Sequence, residues 1–103
     1  MRVYYFGTDE GFHHEHYTEG QLHDLQALVG GFIEPVYLPE FTQFGIILLA
    51  NAEGLLAQLE PNENLFPYFL VGHVVALSSE GEEFTGLNDF QVDFIKRWLK
   101  ANE

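Results

Sequence analysis

Residues 87 to 100 read LNDFQVDFIKRWLK, and this stretch predicts the most clearly delimited element of the chain. Asn88 followed three residues later by Gln91 forms a capping box, and Leu87 with Val92 has the spacing of a hydrophobic staple. Acidic residues lie near the start and basic residues near the end, as the helix dipole favours. The stretch therefore predicts a C-terminal helix that packs on the domain through one broad apolar face: Phe90, Phe94, Ile95, Trp98 and Leu99.

A second helix is predicted nearer the N-terminus. Thr18 with Gln21 forms another capping box, and Tyr17 with Leu22 again has staple spacing. Gly30–Gly31 ends this helix, because a helix C-terminus commonly needs a residue in the left-handed conformation. The buried stripe of the helix is predicted to consist of Leu22, Leu25, Leu28 and Val29.

The rest of the chain has β-strand patterns separated by turn signals. Strands are predicted at residues 2–6, 12–17, 32–38, 44–51, 55–59, 71–78 and 82–87. Segment 12–17 pairs back on 2–6 as a hairpin, and 55–59 is the arm that returns after the turn NAEG at 51–54. Pro35 places its strand at a sheet edge or a bulge. The prediction is a single domain over residues 1–103 with an α+β fold, a mostly antiparallel sheet with two helices packed on it.

Composition excludes several classes of function. The chain of 103 residues has 16 acidic and only 4 basic side chains, a formal net charge of -12, and residues 3 to 95 contain no lysine or arginine. Such a charge opposes direct binding to nucleic acid and to anionic membranes. The absence of cysteine excludes disulfides and thiolate chemistry. No apolar run resembles a signal peptide or a membrane span, so a cytoplasmic location is expected.

No catalytic residue and no cofactor are predicted. Ser78 and Ser79 do not lie in a G-x-S-x-G elbow, and Gly30–Gly31 has neither a dinucleotide-binding nor a phosphate-loop pattern around it. Adjacent acidic residues in turns are typical of a solvated surface, and nothing in their spacing marks a catalytic pair. We therefore do not expect an enzyme.

Three of the five histidines lie within four residues, in GFHHEHYTEG at 11–20. On a strand, His14 and His16 share one face with Phe12, while His13 points to the other. The pair could bind a transition metal weakly, with His23 as a third ligand, but no fixed motif supports this. The favoured interpretation is a solvated polar hairpin without a metal.

Aromatic residues beside acids and prolines leave two alternatives: some of them anchor the segment in the core, or they form a protein-binding surface. The segment EPNENLFPYF (60–69) is predicted to be a surface loop, and VYLPEF (36–41) could extend the same surface. The predicted binding residues are Tyr37, Phe41, Glu63, Phe66 and Tyr68. A separate small-ligand site is considered at Gly30 and Gly31, whose following amides could bind an anion, and at Glu34, a strand carboxylate with no evident structural role.

Several segments, in this order, resemble a family of small domains of unknown function from bacteria, phages and other mobile elements. They are LQALVGGFIEPVYL, NAEG, EPNENL, VGHVVAL and FTGLNDFQ, and residues 25–34 match the family's L-V-G-G–aromatic–Ile-Glu signature. The resemblance covers roughly residues 22 to 98 and leaves the histidine-rich hairpin outside. It implies a link to phages or mobile elements, but it implies no activity.

Two functions are therefore expected as alternatives. The first is a non-enzymatic acidic protein that binds and modulates a host protein, one version being a DNA mimic that occupies a nucleic-acid-binding protein. The second is a small-ligand binder that sequesters a nucleotide-type signal. The oligomeric state does not follow from the sequence.

Overall fold

A computed structural model describes all 103 residues, which form one six-stranded antiparallel sheet with helices on both faces. Five strands run in the spatial order β2-β1-β5-β4-β3, and β6 pairs with the end of β5. The strands are β1 (Arg2–Phe6), β2 (His13–Tyr17), β3 (Ile33–Val36), β4 (Ile46–Asn51), β5 (Val74–Glu80) and β6 (Glu83–Thr85). The predicted α+β class with a mostly antiparallel sheet is confirmed.

Two longer helices cover opposite faces of this sheet. The helix α1 (Leu22–Val29) packs through Leu25 and Val29, whereas α3 (Asp89–Ala101) packs through Val92, Ile95, Trp98 and Leu99. Between them lie α2 (Pro39–Thr42), a single turn, and a 3-10 turn at Glu63–Leu65. None of the helices is long and apolar enough to cross a membrane.

Central strands β4 and β5 are apolar on both faces because each face is covered by a helix. Along β4, Ile46, Leu48 and Ala50 belong to the core under α3, while Ile47 and Leu49 belong to the core under α1. This alternation explains the continuous apolar run at 44–51 in the sequence. β4 lies between β5 and β3, so neither of its edges is free.

That arrangement corrects the predicted strand at 55–59. A returning arm beside β4 has no edge to pair with, and residues 55–59 form tight turns instead. Local bonds hold them, from Ala57 N to Glu53 O at 2.8 Å and from Leu59 N to Gly54 O at 3.0 Å. Leu55 and Leu56 lie within these turns and are exposed.

The start of α1 also differs from the prediction. Thr18 continues the β1–β2 hairpin, because its N–H donates to Met1 O at 2.9 Å and its carbonyl accepts from the Met1 amino group. The helix begins at Leu22, and the Gln21 N–H donates to the Asp24 carboxylate at 3.1 Å. Tyr17 and Leu22 are both exposed, so the predicted staple is wrong, and Leu22 is not part of the buried stripe.

The capping box of α3 is confirmed. The Gln91 N–H donates to the Asn88 side chain at 2.8 Å, and the Asn88 N–H donates to the Gln91 side chain at 2.9 Å. Gln91 is buried and also donates to Phe44 O and the Ser78 hydroxyl, which joins the helix start to the sheet. Phe90 of the predicted apolar face is exposed.

Candidate functional site

The predicted aromatic surface does not form as one patch. Phe41 is completely buried against Phe94 and Trp98, so the expectation that it lies on a binding surface is wrong. Tyr68 is half-buried, stacks on Trp98 and donates its hydroxyl to the Glu40 carboxylate. That hydrogen bond raises the pKa of Tyr68, because it stabilises the protonated phenol. Phe41 and Tyr68 therefore belong to the framework of the fold.

The other three predicted binding residues are exposed. Tyr37 follows the edge strand β3, and Phe66 follows the 3-10 turn. Glu63 lines a small polar pocket together with Glu10 and Glu103. Their exposure allows contact with a partner, and their binding role stays a prediction.

Two buried asparagines explain why the EPNENL segment lies where it does. The Asn62 side chain donates to Phe6 O at 3.0 Å and to Gly72 O at 2.9 Å. The Asn64 side chain donates to Gly7 O and accepts from Gly11 N, both at 2.8 Å. Asn64 thus satisfies backbone groups of the β1–β2 turn, and Asn62 joins the end of β1 to the loop before β5. This loop is fixed to the hairpin, although its composition suggests a free surface loop.

Gly30 and Gly31 have a structural role. Both of their amides donate to Gln26 O, at 2.8 and 3.0 Å, and Gly30 has a φ of +81° as the helix C-cap. The amides of the two glycines themselves are thus not free to bind an anion, and a binding role of the amides that follow them stays a prediction. A Cβ on Gly31 would lie 2.9 Å from the Asn51 side-chain nitrogen, and Asn51 itself bonds to Val29 O and Glu53 N. The glycines let the end of α1 approach the end of β4.

The largest concave feature is a groove at that end of β4. Its volume is about 460 Å³, within the range of ligand sites, and eight of its eleven lining residues are hydrophobic. Ala50, Ala52 and Gly54 lack bulky side chains, which leaves the space open. The edge strand β3 forms one wall through Val36, and Leu70 and Val71 of the following loop form another.

Three large apolar side chains lie at the mouth of the groove without covering it. Leu55 is 73% exposed, Leu56 is 85% exposed and Phe69 is 66% exposed. Scattered exposed leucines are ordinary, but several around one concavity mark an interaction surface. We call the surface formed by Glu34, Val36, Ala50, Leu55, Leu56, Phe69 and Leu70 the β3 groove.

Glu34 is the charged side chain of the β3 groove. It lies opposite Ala50 in the β3–β4 register and is exposed. Its carboxylate forms no ion pair within the chain, because the paired cations lie elsewhere: Arg2 and Lys96 bind Glu15, and Arg97 binds Asp93. Among the residues considered for a ligand site, Glu34 is the one whose position leaves it free to bind.

The side chains of the histidine-rich hairpin point to the faces of the sheet that the sequence predicts. His14 packs edge-on against Phe12 and His16 on the face of α1, with Tyr5 beside it. His13 lies on the opposite face, where its Nδ1 is 2.8 Å from the Tyr4 hydroxyl. Burial lowers the pKa of His13, because it disfavours the charged imidazolium.

No group of three or more His, Asp or Glu side chains is arranged to hold a metal ion. His23 lies on α1 near Asp24, at 3.3 Å, and does not complete a site with the hairpin. His73 stacks on Tyr5 with ring centroids 5.5 Å apart. The rings of the hairpin thus pack against one another, and the absence of a metal stays a prediction.

Comparison with protein families places the chain in a class without an assigned activity. The model of a domain of unknown function, DUF3846, matches residues 1–100. The chain belongs to this family. The match includes the β1–β2 hairpin, so the expectation that the hairpin lies outside the family domain is wrong. No match to the chain is found among curated proteins or solved structures.

Sequence reasoning missed the two leucines of the β3 groove. Leu55 and Leu56 read as part of a strand because an apolar run does not show whether an edge is available for pairing. Phe69 is an aromatic residue near Pro67, but so are Phe66 and Tyr68, and the sequence pattern does not distinguish among the three. The useful signal was Glu34, a strand carboxylate that no local rule explains.

Proposed function

We propose that this domain is a non-enzymatic interaction module that binds a protein of its host cell through the β3 groove. The observation that carries the proposal is the concavity itself, with Leu55, Leu56 and Phe69 exposed around it. Removing apolar surface from water drives most protein association, and aromatic residues such as Phe69 are enriched in the cores of interfaces. The unpaired carboxylate of Glu34 adds a means of selecting the partner.

The acidic surface supports a modulating role toward a basic partner. With a formal charge of -12, the domain attracts positively charged surfaces at long range and raises the rate of their association. In the narrower version, the domain imitates DNA and occupies the nucleic-acid site of its partner. The excess of carboxylates supports this version.

A small-ligand role for the β3 groove is the second candidate, since its volume matches such sites. A nucleotide-type ligand is disfavoured, because no basic residue lies between positions 3 and 95 and the amides of Gly30 and Gly31 are occupied. Millimolar nucleotides should leave the melting temperature unchanged. A clear rise in that temperature would favour this second candidate.

The test of the proposal compares two matched leucine variants. Leu56→Asp places a charge at the mouth of the groove, whereas Leu22→Asp places the same charge on α1 at the other face of the sheet. Both leucines are exposed, so both variants should fold with unchanged melting temperatures. Proteins captured from host lysate by the wild type should also be captured by Leu22→Asp and be lost with Leu56→Asp. Equal capture by both variants would contradict the proposal.

A further inference from the structure

We infer that the occupant of the β3 groove is a basic amphipathic helix of another protein, one of whose arginines or lysines pairs with Glu34. This inference rests on the proposed function and specifies the partner. Apolar side chains of the helix enter between Leu55, Leu56 and Phe69, and its basic residue lies at the β3 wall.

Charge complementarity favours a positively charged partner. The Glu34 carboxylate lies in a mostly apolar groove and has no cation beside it. None of the other lining residues is charged, and residues 3 to 95 supply no basic side chain. The one charged side chain that lines the groove is therefore negative, and a cationic partner complements it.

The backbone hydrogen bonds of the edge strand β3 argue against a β-strand of another protein as the occupant of the β3 groove. Ala52 N donates to Phe32 O at 2.8 Å, so Phe32 and Ala52 form a hydrogen-bonded pair between β3 and β4. Hydrogen-bonded and non-hydrogen-bonded pairs alternate along an antiparallel ladder, so the next hydrogen-bonded pair is Glu34–Ala50. The intervening residues Ile33 and Pro35 present their backbone groups to solvent. Proline has no N–H, so the free edge lacks a donor in its middle and is a poor template for strand addition.

A helix does not need that backbone edge. It binds a groove through side chains on one face, at positions i, i+3, i+4 and i+7. The exposed leucines and Phe69 provide apolar contact for such a face, and Glu34 provides the polar end. A second copy of this chain is disfavoured as occupant, because its net charge of -12 repels an identical charge.

The experiment uses the full chain and three labelled synthetic peptides of about 18 residues, enough for five helical turns. The first has leucines on one helical face and arginines beside them, the second replaces the arginines by glutamates, and the third replaces the leucines by serines. Binding is measured by fluorescence anisotropy at about 150 mM salt, where contributions from distant charges are screened. The matched protein variants are Glu34→Gln and Glu82→Gln, which change the net charge equally. Glu82 lies in the β5–β6 turn, away from the groove.

The leucine–arginine peptide should bind the wild type and Glu82→Gln equally, and Glu34→Gln should bind about five- to ten-fold more weakly. The other two peptides should not bind measurably. Equal binding to Glu34→Gln and Glu82→Gln overturns the inference, and so does equal binding of the serine–arginine peptide, which would indicate charge alone. If Leu56→Asp loses the partner protein while Glu34→Gln keeps full affinity, the inference fails and the proposed function stands.

Self-association provides the remaining decisive measurement. Sedimentation of the wild type should show a monomer at micromolar concentration. A dimer that Leu56→Asp dissociates would mean that a second copy occupies the groove, which overturns the inference.

Discussion

Phe41 and Phe66 show how one residue type takes two roles in this molecule. Phe41 is completely buried between Phe94 and Trp98, whereas Phe66 is 48% exposed. Phe41→Ala should lower the free energy of unfolding by about 3–5 kcal/mol, because it leaves a cavity in the core. Phe66→Ala should cost less than about 1 kcal/mol. Urea unfolding of both variants measures this difference, and equal losses would show that the loop around Phe66 is part of the core.

His13 should make the stability of the fold sensitive to mild acid. Burial lowers the pKa of His13 from its usual 6.5, the charge of His14 lowers it further, and the charge of Glu103 opposes the shift. Above pH 6.5 the imidazole is neutral in both the folded and the unfolded chain. Below that pH the unfolded chain binds a proton that the folded chain does not yet bind, so stability falls as the pH falls toward the folded pKa.

The measurement is the free energy of unfolding at about pH 7.5 and about pH 5.5, on either side of the unperturbed histidine pKa. The wild type should lose stability over this interval, and His13→Gln should lose less. His23→Gln is the control, because the side chain of His23 is largely exposed on α1. A His13→Gln variant with the full wild-type loss would show that another group titrates.

At the scale of elements, the contact between the end of α1 and the end of β4 depends on two matched residues. Gly31 leaves room for Asn51, whose carboxamide donates to Val29 O and accepts from Glu53 N. Gly31→Ala should destabilise the fold by about 1–3 kcal/mol through a close contact with Asn51, and Asn51→Ala by about 1–2 kcal/mol through lost hydrogen bonds. The double variant should lose less than the sum, because alanine at 51 removes the clash. Strict additivity in urea unfolding would show that the two residues act independently.

Elements with local signals were predictable, and elements decided by tertiary pairing were not. The capping box of Asn88 and Gln91 involves residues three apart, so α3 is visible in the sequence. The box at Thr18 has the same pattern, but Met1 bonds to both backbone groups of Thr18 and keeps it in the hairpin. Segment 55–59 was misassigned because the occupation of both edges of β4 is not encoded locally.

The same division applies to the candidate site. Glu34 could be singled out from the sequence, because a strand carboxylate without a partner is unusual and needs an explanation. The apolar residues around Glu34 could not be predicted from the sequence. Leu55, Leu56 and Phe69 come together only when residues 52–71 fold across the end of β4. Phe41 was misplaced on the surface, because a loop phenylalanine beside an acid has the same sequence pattern whether it faces the core or solvent.

At the scale of the whole molecule, two of the four basic side chains, Arg2 and Lys96, meet at one carboxylate. Glu15 of β2 accepts from both Arg2 and Lys96, which joins the hairpin to α3, and these hydrogen bonds lower the pKa of Glu15. Arg2 also binds Asp89 at the start of α3. Arg2 and Lys96 thus connect the hairpin to α3, and the groove keeps the unpaired carboxylate of Glu34.

This charge predicts how the protein behaves toward DNA, both alone and beside its partner. Sixteen acids against four basic residues, three of which are paired, should prevent any gel shift of duplex DNA even at low salt. If the domain imitates DNA, increasing amounts of duplex should displace it from the isolated partner protein, because both ligands would occupy one basic surface. Leu56→Asp serves as the control, since it should already fail to bind the partner before DNA is added. A complex in which partner, domain and DNA coexist would exclude mimicry while leaving binding through the groove intact. A shifted DNA band with the domain alone would contradict the electrostatic argument itself, because no patch of the surface has enough positive charge to neutralise a run of phosphates.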